Sequence, residues 1–177
     1  MPAVNRQQTC CFSGYRPEKM PFSADSAAVV DIPAVLREPL LRAALTAYHS
    51  GYTCFLSGMS RGFDLWAAQT VLHLRQRLPV QLYAIQPFPE QAAGWAEDWQ
   101  HVHAEVKAAA DACYTVSPAY EPQCFYLRNQ FLVDASSHLI CYYDGQTGGT
   151  KYTLACARKA GLSIENIADP QLTLFSF

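Results

Sequence analysis

Two short stretches gather residue types suited to holding an anion. In Ser57-Gly58-Met59-Ser60-Arg61-Gly62-Phe63-Asp64, the glycines permit a tight turn and Ser57, Ser60 and Arg61 supply donors. Asp64 stands where an apolar, helix-like run begins. A carboxylate there either caps the helix or sits in its first turn, favoured by the dipole; the functional alternative is holding a ribose hydroxyl. In Asp144-Gly145-Gln146-Thr147-Gly148-Gly149-Thr150, Gly148 and Gly149 clear a Cβ from the path of a ligand, and Thr150 is placed to cap the next helix. Free N–H groups at that helix start favour a phosphate. The same residues also suit an ordinary glycine turn with a threonine cap. Neither Gly-x-Gly-x-x-Gly nor a Walker lysine pattern occurs.

Further candidates surround these two. Ser13-Gly14-Tyr15-Arg16-Pro17 follows one apolar run, and Pro87-Phe88-Pro89 follows another. Arg16, Lys19, Arg61 and Lys151 lie in such loops, and Arg128 lies on a helix-like segment. A chain of net charge −2 that gathers cations on one edge points to a small anion there. Asp64 and Glu90 are the carboxylates to test for catalysis; no catalytic assignment follows from their positions. Trp95 and Trp99, four apart, are expected to share a helix face, where packing is the ordinary role. His101 and His103, two apart, do not share one, so no metal pair is read. Seven cysteines, an odd number without Cys-x-x-Cys or zinc spacing, read as reduced thiols of a cytoplasmic protein. No metal or cofactor is called for.

The elements that must carry these residues alternate. Near-continuous apolar runs at 9–14, 52–58, 80–88, 112–118 and 138–145 read as strands buried on both faces, with a weaker sixth at 162–168. Helix-like segments separate them at 32–51, 63–78, 90–111, 124–137 and 150–161. The first and last end on Gly51 and Gly161 as C-caps, and Pro39 is a candidate break or kink. Strand–helix alternation implies α/β architecture: a Rossmann-like three-layer α/β/α fold with a mostly parallel sheet of five or six strands. Ligands of such sheets bind at the strand carboxyl ends, where the candidate loops fall.

The 177 residues are read as a single domain, 1–177. No apolar run reaches the roughly 18 residues of a membrane span, and the N-terminus lacks a signal-peptide apolar stretch. The acidic balance argues against nucleic acid as the partner. Residues 15–33, with three prolines, read either as a loop over the site or as a plain connection. The closing Leu172-Thr173-Leu174-Phe175-Ser176-Phe177 alternates, which suits an edge strand or the packing of a second subunit in a homo-oligomer.

Taken together, the two loops resemble the SLOG superfamily of Rossmann-like domains tied to nucleotide-derived ligands. SGMSRGFDLWAA looks like the Ser-Gly-x-x-x-Gly-x-Asp segment of DprA-type DNA-processing proteins. LRNQFLVDASSHLICYYDGQTGGTKYT looks like the Arg-Lys…Asp…Pro-Gly-Gly-x-Gly-Thr-x-x-Glu block of the Lonely Guy phosphoribohydrolases. The YpsA-like branch is similar along nearly the whole chain, through SGYRP, SGMSRGFDLWAA, PFPEQAAGW, YLRNQFLVDAS and YYDGQTGGTKYTLACA. The resemblance implies a phosphate held at Gly148, Gly149 and Thr150, with Gly58, Arg61 and Gly62 nearby. Arg128 and Asn129 stand at the Arg-Lys position, and Trp95 is a candidate wall for a stacked base. The departures limit the transfer. Asn129 replaces the lysine, Gln146-Thr147 replaces the first glycine pair, and Thr153 occupies the glutamate position. The resemblance therefore implies a module that binds or senses a small nucleotide-type ligand, without the phosphoribohydrolase mechanism. The alternatives are a hydrolase of nucleotides or nucleotide sugars with another carboxylate, and a DprA-like single-strand DNA binder.

Overall fold

The computed structural model describes residues 4–22 and 30–168. Six strands form one parallel sheet: β1 Thr9–Ser13, β2 Cys54–Ser57, β3 Gln81–Gln86, β4 Ala112–Thr115, β5 His138–Cys141 and β6 Ser163–Asn166. Five helices connect them: α1 Ala34–His49, α2 Phe63–Arg75, α3 Glu97–Ala109, α4 Cys124–Asp134 and α5 Gly149–Lys159. The strand order is β4-β3-β2-β1-β5-β6. The expected Rossmann-like three-layer fold is thus present, with the weak sixth strand included.

The order reverses at β1, and the helices change face with it. Residues of α1, α2 and α3 pack with Cys10, Phe12, Phe55 and Leu82 on one side of the sheet. Residues of α4 and α5 pack with Cys11, Leu56, Ile85 and Leu139 on the other. Adjacent Cys10 and Cys11 therefore enter different cores, as the period of two requires. All seven cysteines are free thiols. Right-handed crossovers leave β1 and β5 as neighbours whose connections depart to opposite faces, which opens a crevice at their carboxyl ends.

Four local expectations are corrected. Pro39 lies inside α1 without ending it; the carbonyl it leaves without a donor belongs to Val35, which is exposed to water. Strand β4 is half-exposed because it forms an edge, and its Cys113 faces solvent. The third helix starts at Glu97, since residues 87–96, with Pro87, Pro89 and Gly94, form turns. Trp95 therefore does not share a helix face with Trp99. Trp99 is fully buried against Trp66.

Both predicted C-cap glycines are present. Gly51 donates to the Tyr48 carbonyl and Tyr52 to that of Ala47; Gly161 and Leu162 repeat the pattern onto Arg158 and Ala157. The residues after β1 form a short 3-10 turn, Pro17–Lys19, at the crevice. Residues 23–29 of the long loop, and the alternating 172–177, lie outside the described residues.

Candidate functional site

A cavity of about 360 Å³ opens at the crevice between β1 and β5. It is lined by the loop after β1, the first turns of α4 and α5, and two residues from the β2–α2 region, Ser60 and Asp64. Of the residues predicted for the site, it brings together Ser13, Gly14, Arg16, Asp64, Arg128, Asn129, Gly148, Gly149 and Thr150. Ser57, Gly58, Arg61, Gly62, Phe88, Glu90 and Trp95 are not in the lining.

The glycines of the β2–α2 loop have packing roles. Gly58 lies against Arg128: its carbonyl accepts from Arg128 Nη1, and an added Cβ would strike that guanidinium. Gly62 has φ +82° and is the N-cap of α2. A Cβ there would meet Pro17 Cδ and the Tyr15 carbonyl, both at 2.8 Å. Phe63 N–H donates to that same Tyr15 carbonyl at 3.2 Å. Gly62 thus lets the first and second loops of the sheet edge pack together, while Gly58 makes room for Arg128 of α4. Ser57, fully buried, donates to the Asp64 carbonyl at 2.8 Å and accepts from Met59 N–H.

Asp64 is in the first turn of α2, one residue past the N-cap's neighbour, and is 6% exposed. Its Oδ2 accepts from Ser60 N–H at 3.4 Å and from Arg128 Nη1 at 3.3 Å. Burial pushes its carboxyl above the ordinary range, and Arg128 opposes that shift. Burial likewise pushes the Arg128 guanidinium down, while Asp64 holds it up. Arg128 Nη2 also donates to Ser60 Oγ at 3.1 Å. Its charge is thus answered within the protein, whereas its Nε is buried with no acceptor among the described residues.

The remaining charges differ. Glu18 pairs with Arg61 at 3.3 Å. Arg16 and Lys19 line the cavity, and neither pairs with a carboxylate among the described residues. Lys19 Nζ donates to the Thr147 carbonyl at 3.0 Å, and Gln146 Nε2 donates back to the Lys19 carbonyl at 3.0 Å. Tyr15 Oη accepts from Asp144 N–H at 3.2 Å and Gln146 N–H at 3.0 Å. The β1 loop therefore clasps the loop that leads into α5.

Helix α5 begins differently from expectation. Gly148, at φ +137°, is the N-cap, and no side chain caps the helix. Thr150 lies inside the first turn, 6% exposed, because the glycine pair already makes the turn. Thr153 is fully buried and its hydroxyl donates to the Gly149 carbonyl one turn back, at 3.0 Å.

Outside the cavity, Trp95 packs edge-on against His103 with centroids 5.4 Å apart, and Arg61 lies 5.8 Å from its ring centre. Gln86 and Gln91 approach His103 Nε2 with their amide nitrogens at 3.3 and 3.2 Å. That nitrogen accepts, so the ring is neutral; burial, aided by the Lys107 charge, pushes its pKa down to about 4. Gln91 also donates to the Met59 carbonyl, tying the 87–96 turns to the β2–α2 loop. Phe88 stands edge-on to Tyr120 and Phe125. Sequence reasoning did not single out Phe125, Tyr126, Pro122 or Thr147 for the lining; nothing in α4's apolar pattern distinguishes a lining aromatic from a core one.

Residues 10–168 match the model of the YspA SLOG family. A UPF0398 protein of Bacillus thuringiensis (strain Al Hakam) is 32% identical over 160 residues, covering 87% of this chain and 84% of the relative. A UPF0398 protein of Bacillus cereus (strain B4264) is 30% identical over 158 residues, with the same coverage. Among solved structures, DNA processing protein A from Helicobacter pylori, described for its single-stranded DNA binding mode, superposes with a TM-score of 0.58 at 14% identity. The match covers 90% of this chain and 64% of that one. DNA processing protein A from Streptococcus pneumoniae gives a TM-score of 0.60 at 12% identity over 89% of this chain and 49% of that one. At these identities the structural matches speak to the fold alone. Among the described residues, no helix is long and apolar enough to cross a membrane.

Proposed function

The chain belongs to the YspA SLOG family, and from that premise we propose that the sheet-edge cavity binds a nucleotide-derived ligand by its phosphate. One observation carries the reading: Arg16 and Lys19 line the cavity without a carboxylate ion-pair partner among the described residues, while Glu18 and Asp64 are answered by Arg61 and Arg128. The uncompensated charge lies beside the N-terminus of α5, where Gly148, Gly149 and Thr150 present backbone N–H groups. Ser13, Gly14 and Asn129 complete the polar lining. A volume of about 360 Å³ lies in the range of small-molecule sites.

The bound species is a small molecule in this reading, and the module senses or carries it. Thermal unfolding with a panel of nucleotides tests this. A ligand at a hundred times its Kd stabilises the protein by about 2.7 kcal/mol. Nucleoside phosphates are expected to raise Tm, and Arg16→Ala and Gly149→Val to weaken that effect. A lost charged hydrogen bond costs about 1.5–3 kcal/mol of affinity. If no nucleotide shifts Tm, or if both variants respond like the parent, the reading fails.

A further inference from the structure

Besides its cations the cavity has an aromatic side. The first turn of α4 contributes Phe125 and Tyr126 to the lining, with Pro122 before them. Phe125 is already engaged: Phe88 meets it edge-on at 5.9 Å, and the Arg16 guanidinium lies 5.9 Å from its ring centre. Tyr126 is not. It is 53% exposed although it lines a cavity. Its one ring partner among the described residues is Tyr152 of α5, with centroids 4.9 Å apart and planes at 79°. An edge-to-face neighbour of this kind holds a ring's tilt without covering both of its faces.

We propose that Tyr126, braced by Tyr152, is the platform on which the ligand's base stacks. The proposal rests on the phosphate reading above and specifies the ligand further: a planar heteroaromatic base joined to a phosphate. The base lies at the α4 mouth of the cavity and the phosphate at the start of α5. Trp95, the aromatic to which the family resemblance pointed, is outside the lining and has its ring engaged by His103 and Arg61. Stacking depends on overlap of π-faces and tolerates differences in ring edges. Purines, with the larger face, are therefore favoured over pyrimidines, while adenine and guanine are held alike.

The test is calorimetric titration of the full chain, Tyr126→Ala and Tyr126→Phe with AMP, GMP, CMP, UMP and ribose 5-phosphate. Tyr126→Ala is expected to weaken the tightest nucleotide about tenfold, the size of one base–aromatic stack, and to leave ribose 5-phosphate unchanged. Tyr126→Phe, which keeps the ring, is expected to match the parent. Unchanged nucleotide affinity in Tyr126→Ala overturns the platform, as does an equal loss for ribose 5-phosphate. If the parent binds ribose 5-phosphate as tightly as every nucleotide, the platform fails and the phosphate reading stands. If it binds none of the five, both fall.

Discussion

Arg128 meets Asp64 at 3.3 Å inside the cavity lining, both nearly removed from solvent. Burial disfavours the charged form of each, and each holds the other charged. Removing one partner leaves an uncompensated buried charge, which costs about 3–5 kcal/mol. Asp64→Leu and Arg128→Met are each expected to lower stability on that scale in urea unfolding. The double variant should lose clearly less than the sum, because it strands no charge. Strict additivity would show that the two side chains act independently.

Gly58 makes room for that pair. A Cβ there would collide with the Arg128 guanidinium and come within 2.8 Å of Asp64 Oδ2. Gly58→Ala should therefore destabilise by about 1–3 kcal/mol, as overpacking does. Gly94→Ala, with nothing within 4 Å of the new methyl, serves as the control and should change little. Equal denaturation midpoints for the two variants would contradict this packing.

His103 should give the fold a pH dependence. Its pKa is pushed down to about 4 from 6.5, first by burial and then by Lys107. Between those values the unfolded chain takes up a proton that the folded chain refuses. Stability from this group is thus complete above pH 6.5 and lost as pH falls toward 4, on the order of 3 kcal/mol. Urea unfolding at pH 7 and pH 4.5 measures it, and His103→Asn should show a smaller difference between the two. An unchanged difference would refute the assignment.

Free base should not be released from nucleoside 5′-monophosphates. Glycosidic cleavage uses a carboxylate beside the anomeric carbon. Thr153, at the position where the resemblance expects glutamate, is buried and bonded to the Gly149 carbonyl. The lining carboxylates, Asp64 and Glu18, are paired with arginines. Chromatography after incubation with AMP, GMP, CMP and UMP is expected to show no free base. Turnover abolished by Arg128→Ala would move the chain into the enzyme class.

These expectations differ in how far the sequence discloses them. Strand–helix alternation was legible because parallel strands buried on both faces leave continuous apolar runs, and Cys10 and Cys11 fall into separate cores by period alone. The placement of Gly148, Gly149 and Thr150 at a helix start was legible as local glycine chemistry. The partner of Arg128 was not, since its contact with Gly58 spans 70 residues of chain. That contact also hid the packing role of Gly58, which in sequence looks like any loop glycine. The start of α3 was obscured because Gln91-Ala92-Ala93 reads as helix, whereas Gln91 is held by Met59 and His103. Tyr126 was hidden because α4 buries the polar Arg128 and Asn129 and exposes Tyr126 and Leu127, so periodicity does not say which aromatic faces out.

The central claim is that a nucleotide phosphate sits at the start of α5, in the crevice where the strand order reverses. Backbone amide NMR of the full chain, titrated with AMP, GMP, CMP and UMP, tests it most directly. Saturable shifts are expected at the amides of Gly148, Gly149 and Thr150 with at least one nucleotide, diminished in Arg16→Ala. Saturable binding that leaves those three amides unmoved, or no shift with any of the four, would contradict it.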